Sequence, residues 1–278
     1  MYDEGSLDYV GLQGLNPAGV ASARRRRAGE LLSSPLFSVG SLILSTRLPP
    51  FDDPRVRKAF TLAIDREKWA NTVLDGLHFP ASGGLIPPGL PGHAAGIALP
   101  FDPEQARYLL AEAGFPGGKA LPEVSFSQRY WGEWSDRQES FLKSSWQEIL
   151  GVEVSFGTSN WSQYESLVNE GKQHIYIVGL SAAYPDPDSI LRRAFGRHRQ
   201  GWQNIHYDEL IERARRLTDQ EERLRLYQLA ETILLEEVPI LPIYYRRTLG
   251  LFKPWVIKAP FDSLSEGWFW EDIVIEPH

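Results

Sequence analysis

From Pro54 to about residue 258 the chain alternates two kinds of segment, and that alternation admits few architectures. One kind carries apolar residues at steps of three and four, the spacing of a single helix face. Val56, Ala59, Phe60, Ala63 and Ile64 follow it, and Trp69, Val73 and Leu74 extend it to a stop at Gly76. Ala106, Leu109, Leu110 and Ala113 repeat the pattern, as do Phe141, Leu142, Trp146 and Ile149 in a helix predicted over 136–150. Further helices are predicted over 161–170, 207–217 and 221–236. The other kind is short and β-rich: 36–46 (LFSVGSLILST), 122–128, 152–156 (VEVSF), 174–180 and 240–245 (ILPIYY). Such alternation predicts an α/β domain with helices laid on a sheet.

The helix starts share a device. Asp53-Pro54, Asp102-Pro103 and Asp186-Pro187 each put a carboxylate where it can accept orphan N–H groups, and a proline where a missing N–H costs nothing. Residues 80–100 form a long Gly- and Pro-rich loop, which in a domain like this is either functional or clamped by packing. Residues 1–35 read as fragmentary, with little regular pattern.

A chain of 278 residues with net charge −7 lacks the basic face that nucleic acid requires. Its basic run, Arg24 to Arg27, lies among Ala, Gly and Ser and reads as a solvated loop. Without cysteine, disulfides and thiolate chemistry are excluded, a composition that fits an extracytoplasmic bacterial protein. No apolar run approaches the ~20 residues of a membrane span. The opening MYDEGSLDYVGL lacks the pattern of a signal segment, so the expectation is a cytoplasmic protein or a native start further upstream. Aromatic residues make up 12% of the chain, with nine Trp, a surplus that suits a ligand cleft or partner interface.

The stretch 181–191, SAAYPDPDSIL, invites a functional reading. A calcium loop counted from Asp186 would need Gly at position 191 and Glu at 197, where the chain has Leu191 and Arg197. Acid–base work would need a nucleophile or tuned partner, and none is in sequence reach. Asp186 therefore reads as a cap, and Asp188 as a charge at the positive end of the helix. His78, His93, His174, His198, His206 and His278 show no ligand spacing and read as surface or loop residues. Trp131, Trp134, Trp161 and Trp202 sit in or beside loops, where an indole faces a pocket, caps the core or meets a missing partner; the readings stay open.

Four stretches in register resemble the family 5 extracellular solute-binding proteins, the peptide- and nickel-binding components of ABC transporters. They are PPFDDPRVRKAFTLAIDREKW (49–69), FDPEQARYLLAEAGFP (101–116), AYPDPDSIL (183–191) with WQNIHYDELIERAR (202–215), and DQEERLRLYQLAETILLEEVPILPIYY (219–245). The closing WEDIVIEPH also looks like a family ending. The resemblance implies a class II periplasmic-binding-protein lobe, a mixed sheet flanked by helices, with the first lobe largely absent. Residues 1–45 would be a remnant of that first lobe, 46–258 the ligand-binding lobe, and 259–278 a tail returning toward the first.

In peptide-binding relatives an aspartate before Tyr-Pro-Asp-Pro anchors the ligand amine. Here that position is Ala183, and Leu180 stands where an aromatic precedes it. A buried amine without a counter-charge is heavily penalised, so a neutral, sugar-like or modified ligand is expected, or a peptide held differently. The candidate ligand-facing set is Ser181, Ala183, Tyr184, Trp131, Trp134, Trp161, Trp202 and Asn204. No catalytic residue, metal or cofactor is expected. The resemblance implies capture of a small polar or peptide-like solute and delivery to a membrane permease, outside the cytoplasm, with a lipid anchor on the full-length protein. One lobe alone should bind weakly or not at all. A second reading is a glycoside hydrolase using a Trp-rich cleft, which needs two carboxyls roughly 5–10 Å apart.

Overall fold

A computed structural model describes residues 1–12, 15–194, 201–258, 264 and 273–277. The cap residues set the helix starts. Asp53 Oδ1 accepts from the Arg55 N–H at 2.8 Å and opens α2 (Pro54–Leu62); Asp102 accepts from Gln105 at 2.9 Å and opens α4 (Pro103–Glu112). The stretch expected as one helix from Pro54 to Gly76 is two, because Asp65 caps a new helix, α3 (Arg66–Thr72), by accepting from the Lys68 N–H. That side chain offers the backbone an alternative to continuing α2. Then come α5 (Glu133–Leu150), α6 (Trp161–Glu170), α7 (Pro187–Ala194), α8 (Ile205–Arg216) and α9 (Gln220–Glu237).

The main sheet runs β1 (Tyr9–Gly11), β7 (Ile240–Phe252), β2 (Leu31–Leu44), β6 (Ile175–Ser181), β4 (Val124–Arg129) and β5 (Val154–Ser159), with β3 (Phe79–Pro80) also on β7. β4, β5 and β6 are mutually parallel; β2 runs antiparallel to β6 and β7. The sheet is mixed, as expected. One core cluster packs it against α2–α5 through Phe60, Trp69, Leu110 and Trp146, and the other against α6–α9 through Tyr164, Leu191, Tyr207 and Tyr227.

Residues 1–35 are more regular than the sequence suggested. They hold β1, the helix α1 (Pro17–Arg26) and the first part of β2. The arginine run is not a loop: Arg24, Arg25 and Arg26 form the last turn of α1, where cations suit the negative helix end. β2 and β7 are longer than the predicted 36–46 and 240–245, and together they extend past the other strands as a ribbon that carries β1. A small third cluster covers that ribbon with Tyr2, Leu12, Val20, Leu249 and Leu251. Residues 31–44 are thus paired within the same sheet as β6 and β7. Of the tail 259–278 only Leu264 and 273–277 are described; Val274–Ile275 form β9, paired with β8 (Val256–Lys258).

The long loop after β3 is clamped. Tyr245 donates its hydroxyl to the Gly84 carbonyl at 2.8 Å, and Glu231 on α9 accepts the Ile86 N–H at 3.0 Å. A Cβ at Gly84 would lie 2.1 Å from Glu231 Oε1, so this approach requires glycine.

Candidate ligand-binding shelf

Parallel strands finish on the same edge of a sheet, and in open α/β sheets that edge is where ligands bind. Here β4, β5 and β6 deliver Arg129–Trp131, Trp161 and Ser181–Tyr184 to one edge. β2 runs the other way and brings Ser38 there, paired with Ser181 by register and by an Oγ–Oγ contact of 2.9 Å.

The centre of this edge is a cation between two indoles. The Arg129 guanidinium lies 3.9 Å from the Trp131 ring centroid and 5.2 Å from that of Trp161. Both rings remain largely open, at 62% and 53% exposure. Arg129 is half-buried and makes no ion pair with any described residue. An arginine weakly hydrated by flanking rings and lacking an acid partner is a ready receptor for a planar carboxylate.

The turn that presents Trp131 is fixed from below. Ser135 Oγ accepts the Trp131 N–H at 2.7 Å and donates to the Arg129 carbonyl at 3.2 Å. Gln128 Nε2 donates to the Ser135 carbonyl, and Gln138 Nε2 to Gln128 Oε1 at 2.7 Å, all in buried surroundings. A satisfied buried relay of this kind holds a loop in one conformation.

In SAAYPDPDSIL the caps behave as read. Asp186 Oδ1 accepts the Asp188 N–H at 2.9 Å. Asp188 does more than meet a helix dipole. It is buried, accepts the Tyr184 hydroxyl at 2.5 Å, and sits 3.3 Å from Arg192 and 3.6 Å from Arg215. Asp186 in turn pairs with Arg223 at 2.6 Å. Burial, then the hydrogen bond to Asp188, raises the Tyr184 hydroxyl above its ordinary value and keeps it a donor. Ser181, Ala183 and Tyr184 are exposed along the shelf, and the Ala183 N–H is held by Ser189 Oγ at 2.6 Å. No carboxylate stands at position 183.

The remaining candidates lie elsewhere. Trp134 turns to the third cluster, with Arg137 5.8 Å over its ring. Trp202 and Asn204 sit at the opposite edge, beside the C-terminal end of α9. Trp202 is buried and donates to Glu237 Oε2 at 2.5 Å, while Asn204 donates to Glu237 Oε1 and caps α8 through the Tyr207 N–H. They tie α8 to α9. Arg129, Ser38 and the Ser135 relay went unnoticed in the sequence; an arginine closing a strand just before a Trp-rich turn was the available signal. Among the described residues no group of three or more His, Asp or Glu is placed to hold a metal ion, and no helix is long and apolar enough to cross a membrane.

A mixed sheet with helices on both faces, ending in an open aromatic shelf, is one lobe of a periplasmic binding-protein fold. The fold matches an oligopeptide-binding protein of Borrelia burgdorferi with TM-score 0.83 at 24% identity, covering 99% of this chain and 55% of that one. The chain belongs to the bacterial extracellular solute-binding proteins of family 5: the model described as "Bacterial extracellular solute-binding proteins, family 5 Middle" matches residues 1–202. It is 30% identical over 262 residues to a probable deoxycholate-binding periplasmic protein of Escherichia coli K12, across 90% of this chain and 48% of that protein. It is 27% identical over 270 residues to a dipeptide-binding protein of the same organism, across 94% and 50%. The chain thus spans about half the length of these relatives.

Proposed function

We propose that this chain is the lobe of a non-enzymatic solute-binding protein that captures a carboxylate-bearing solute and presents it to an ABC-importer permease. Capture would take place outside the cytoplasm, with a second lobe closing over the ligand. Residues 46–258 would supply the binding lobe, and 1–45 with 259–278 would belong to the side facing the first lobe. The observation that carries the reading is Arg129, stacked between Trp131 and Trp161 at the ligand edge and free of any described acid.

The chemistry of the two relatives' ligands sharpens it. Deoxycholate and a dipeptide both carry a carboxylate, but only the dipeptide carries an amine that needs a counter-charge. Arg129 serves the shared group, and Ala183 leaves the amine unserved. A carboxylate attached to an apolar or neutral body therefore fits best, with the indoles covering the body and Tyr184 as wall. The hydrolase reading finds no support here: Asp186 and Asp188, beside Tyr184, are committed to Arg223, Arg192 and Arg215.

Calorimetry tests this. A single lobe leaves half the ligand in water, so affinity for deoxycholate below its micelle concentration, or for a dipeptide, should be weaker than micromolar. Deoxycholate should bind more tightly than its neutral amide. Equal binding of acid and amide overturns the carboxylate assignment, and micromolar affinity overturns the dependence on a second lobe.

A further inference from the structure

A second cationic feature lies away from the shelf residues. A concavity of about 600 Å³ opens between α1 and the ends of α3 and α5, lined by Arg24, Arg25, Asn71, Asp75, Gly76 and Arg137. Three arginines face one aspartate there, in a chain whose net charge is −7. Arg137 is satisfied, with Asp75 at 3.0 Å and Glu133 at 2.7 Å. Arg24 spends one nitrogen on the Asp75 carbonyl at 2.7 Å and has no ion pair among the described residues. Arg25 is exposed and has no hydrogen-bond or ion partner among the described residues. Arg247 adds a further positive charge behind the turn, its guanidinium bound to the Gly76 and Leu77 carbonyls rather than to an acid.

The negative end of α1 accounts for cations at 24–26 on its own helix. Arg137 is accounted for by Asp75 and Glu133, but neither acid pairs with Arg24 or Arg25, which share the space with Asn71 of α3. Arg24 and Arg25 carry like charges with no acid paired to either among the described residues, so an added anion is attracted there. Guanidinium forks and an amide donor match the oxygens of a phosphate group, which accepts several charge-assisted hydrogen bonds at once.

We propose that this concavity binds a phosphate group, free or on a lipid headgroup, and that the bound anion ties α1 to α3 and α5. Arg25 is the principal ligand, Arg24 and Asn71 assist, and Arg137 closes the far side. The volume admits a phosphate monoester with a small organic substituent.

The test uses the 278-residue chain at low, constant ionic strength set with chloride, because exposed charges are screened by salt. Inorganic phosphate is titrated by calorimetry, and binding to phosphatidylglycerol vesicles is compared with phosphatidylcholine vesicles by sedimentation. Saturable binding of either probe is expected, weakened about tenfold or more in Arg25→Ala and kept in Arg26→Ala, whose residue shares the helix end but not the concavity. Phosphate binding without vesicle binding assigns the free ion; vesicle binding, with or without free phosphate, assigns the headgroup. Absence of both overturns the proposal. So does equal weakening in Arg25→Ala and Arg26→Ala, or none in either, which would mark a diffuse charge effect.

Discussion

The acids in SAAYPDPDSIL serve the protein itself: Asp186 and Asp188 are taken up by its own arginines and helix start, and Ala183 stands exposed beside them without a charge. That division was half legible. The capping role of Asp186 follows from its place before Pro187, but the convergence of Arg192, Arg215 and Tyr184 on Asp188 depends on three elements meeting in space. Asp188→Asn is expected to destabilise the fold by about 3 kcal/mol, since it strands buried partners; urea unfolding with a loss under about 1 kcal/mol would contradict the hub. Arg129 escaped the sequence reading because a lone arginine carries no periodicity. Its meaning comes only from two indoles contributed by separate strand ends.

At the scale of elements, most starts and stops could be read from side chains that compete for backbone groups. Asp53, Asp102 and Asn160 cap as their types allow, and Gly151 and Gly171 end α5 and α6 in the left-handed conformation. Asp102→Ala should cost about 1 kcal/mol by thermal or urea unfolding. Asn204→Ala should cost more, because it also releases Glu237. The break between α2 and α3 was hidden, because the apolar stripe runs through it without interruption and only Asp65 interrupts the backbone. The long loop 80–100 was recognisable as either functional or clamped, and the clamp is Glu231. Burial pushes its carboxyl up to about 7, although the Ile86 and Leu85 N–H groups favour the ionised form; Tyr245, with Arg66 behind it, faces the same carboxyl. The folded chain therefore keeps a proton that the unfolded chain releases at its ordinary value of 4.5. This group's contribution to stability is full below that pH, declines as pH rises toward about 7, and is flat above it. Glu231→Gln should remove that slope and raise stability at pH 8 by on the order of 2 kcal/mol. An unchanged pH profile in the variant would show that another group sets it.

For the whole molecule, alternation of helix and strand patterns was enough to predict an α/β domain, and the family resemblance added the lobe and its mixed sheet. It could not show that β2 and β7 run on as a ribbon carrying β1 and α1, because that ribbon's contacts join residues more than 200 positions apart. Nor could it sort the tryptophans: the indoles differ not in sequence context but in which end of the sheet their loops leave. Trp131 and Trp161 fall on the edge where the parallel strands end and Trp202 on the other, bonded to Glu237. That separation supplies the most direct test of the shelf. In an NMR titration of the chain with millimolar deoxycholate or a neutral-bodied carboxylate, the indole N–H signals of Trp131 and Trp161 should shift while that of Trp202 stays fixed. In Arg129→Ala the shifts should shrink about tenfold at equal ligand. Movement of the Trp202 signal in place of the other two, or shifts that survive the loss of Arg129, would contradict the shelf as the binding site.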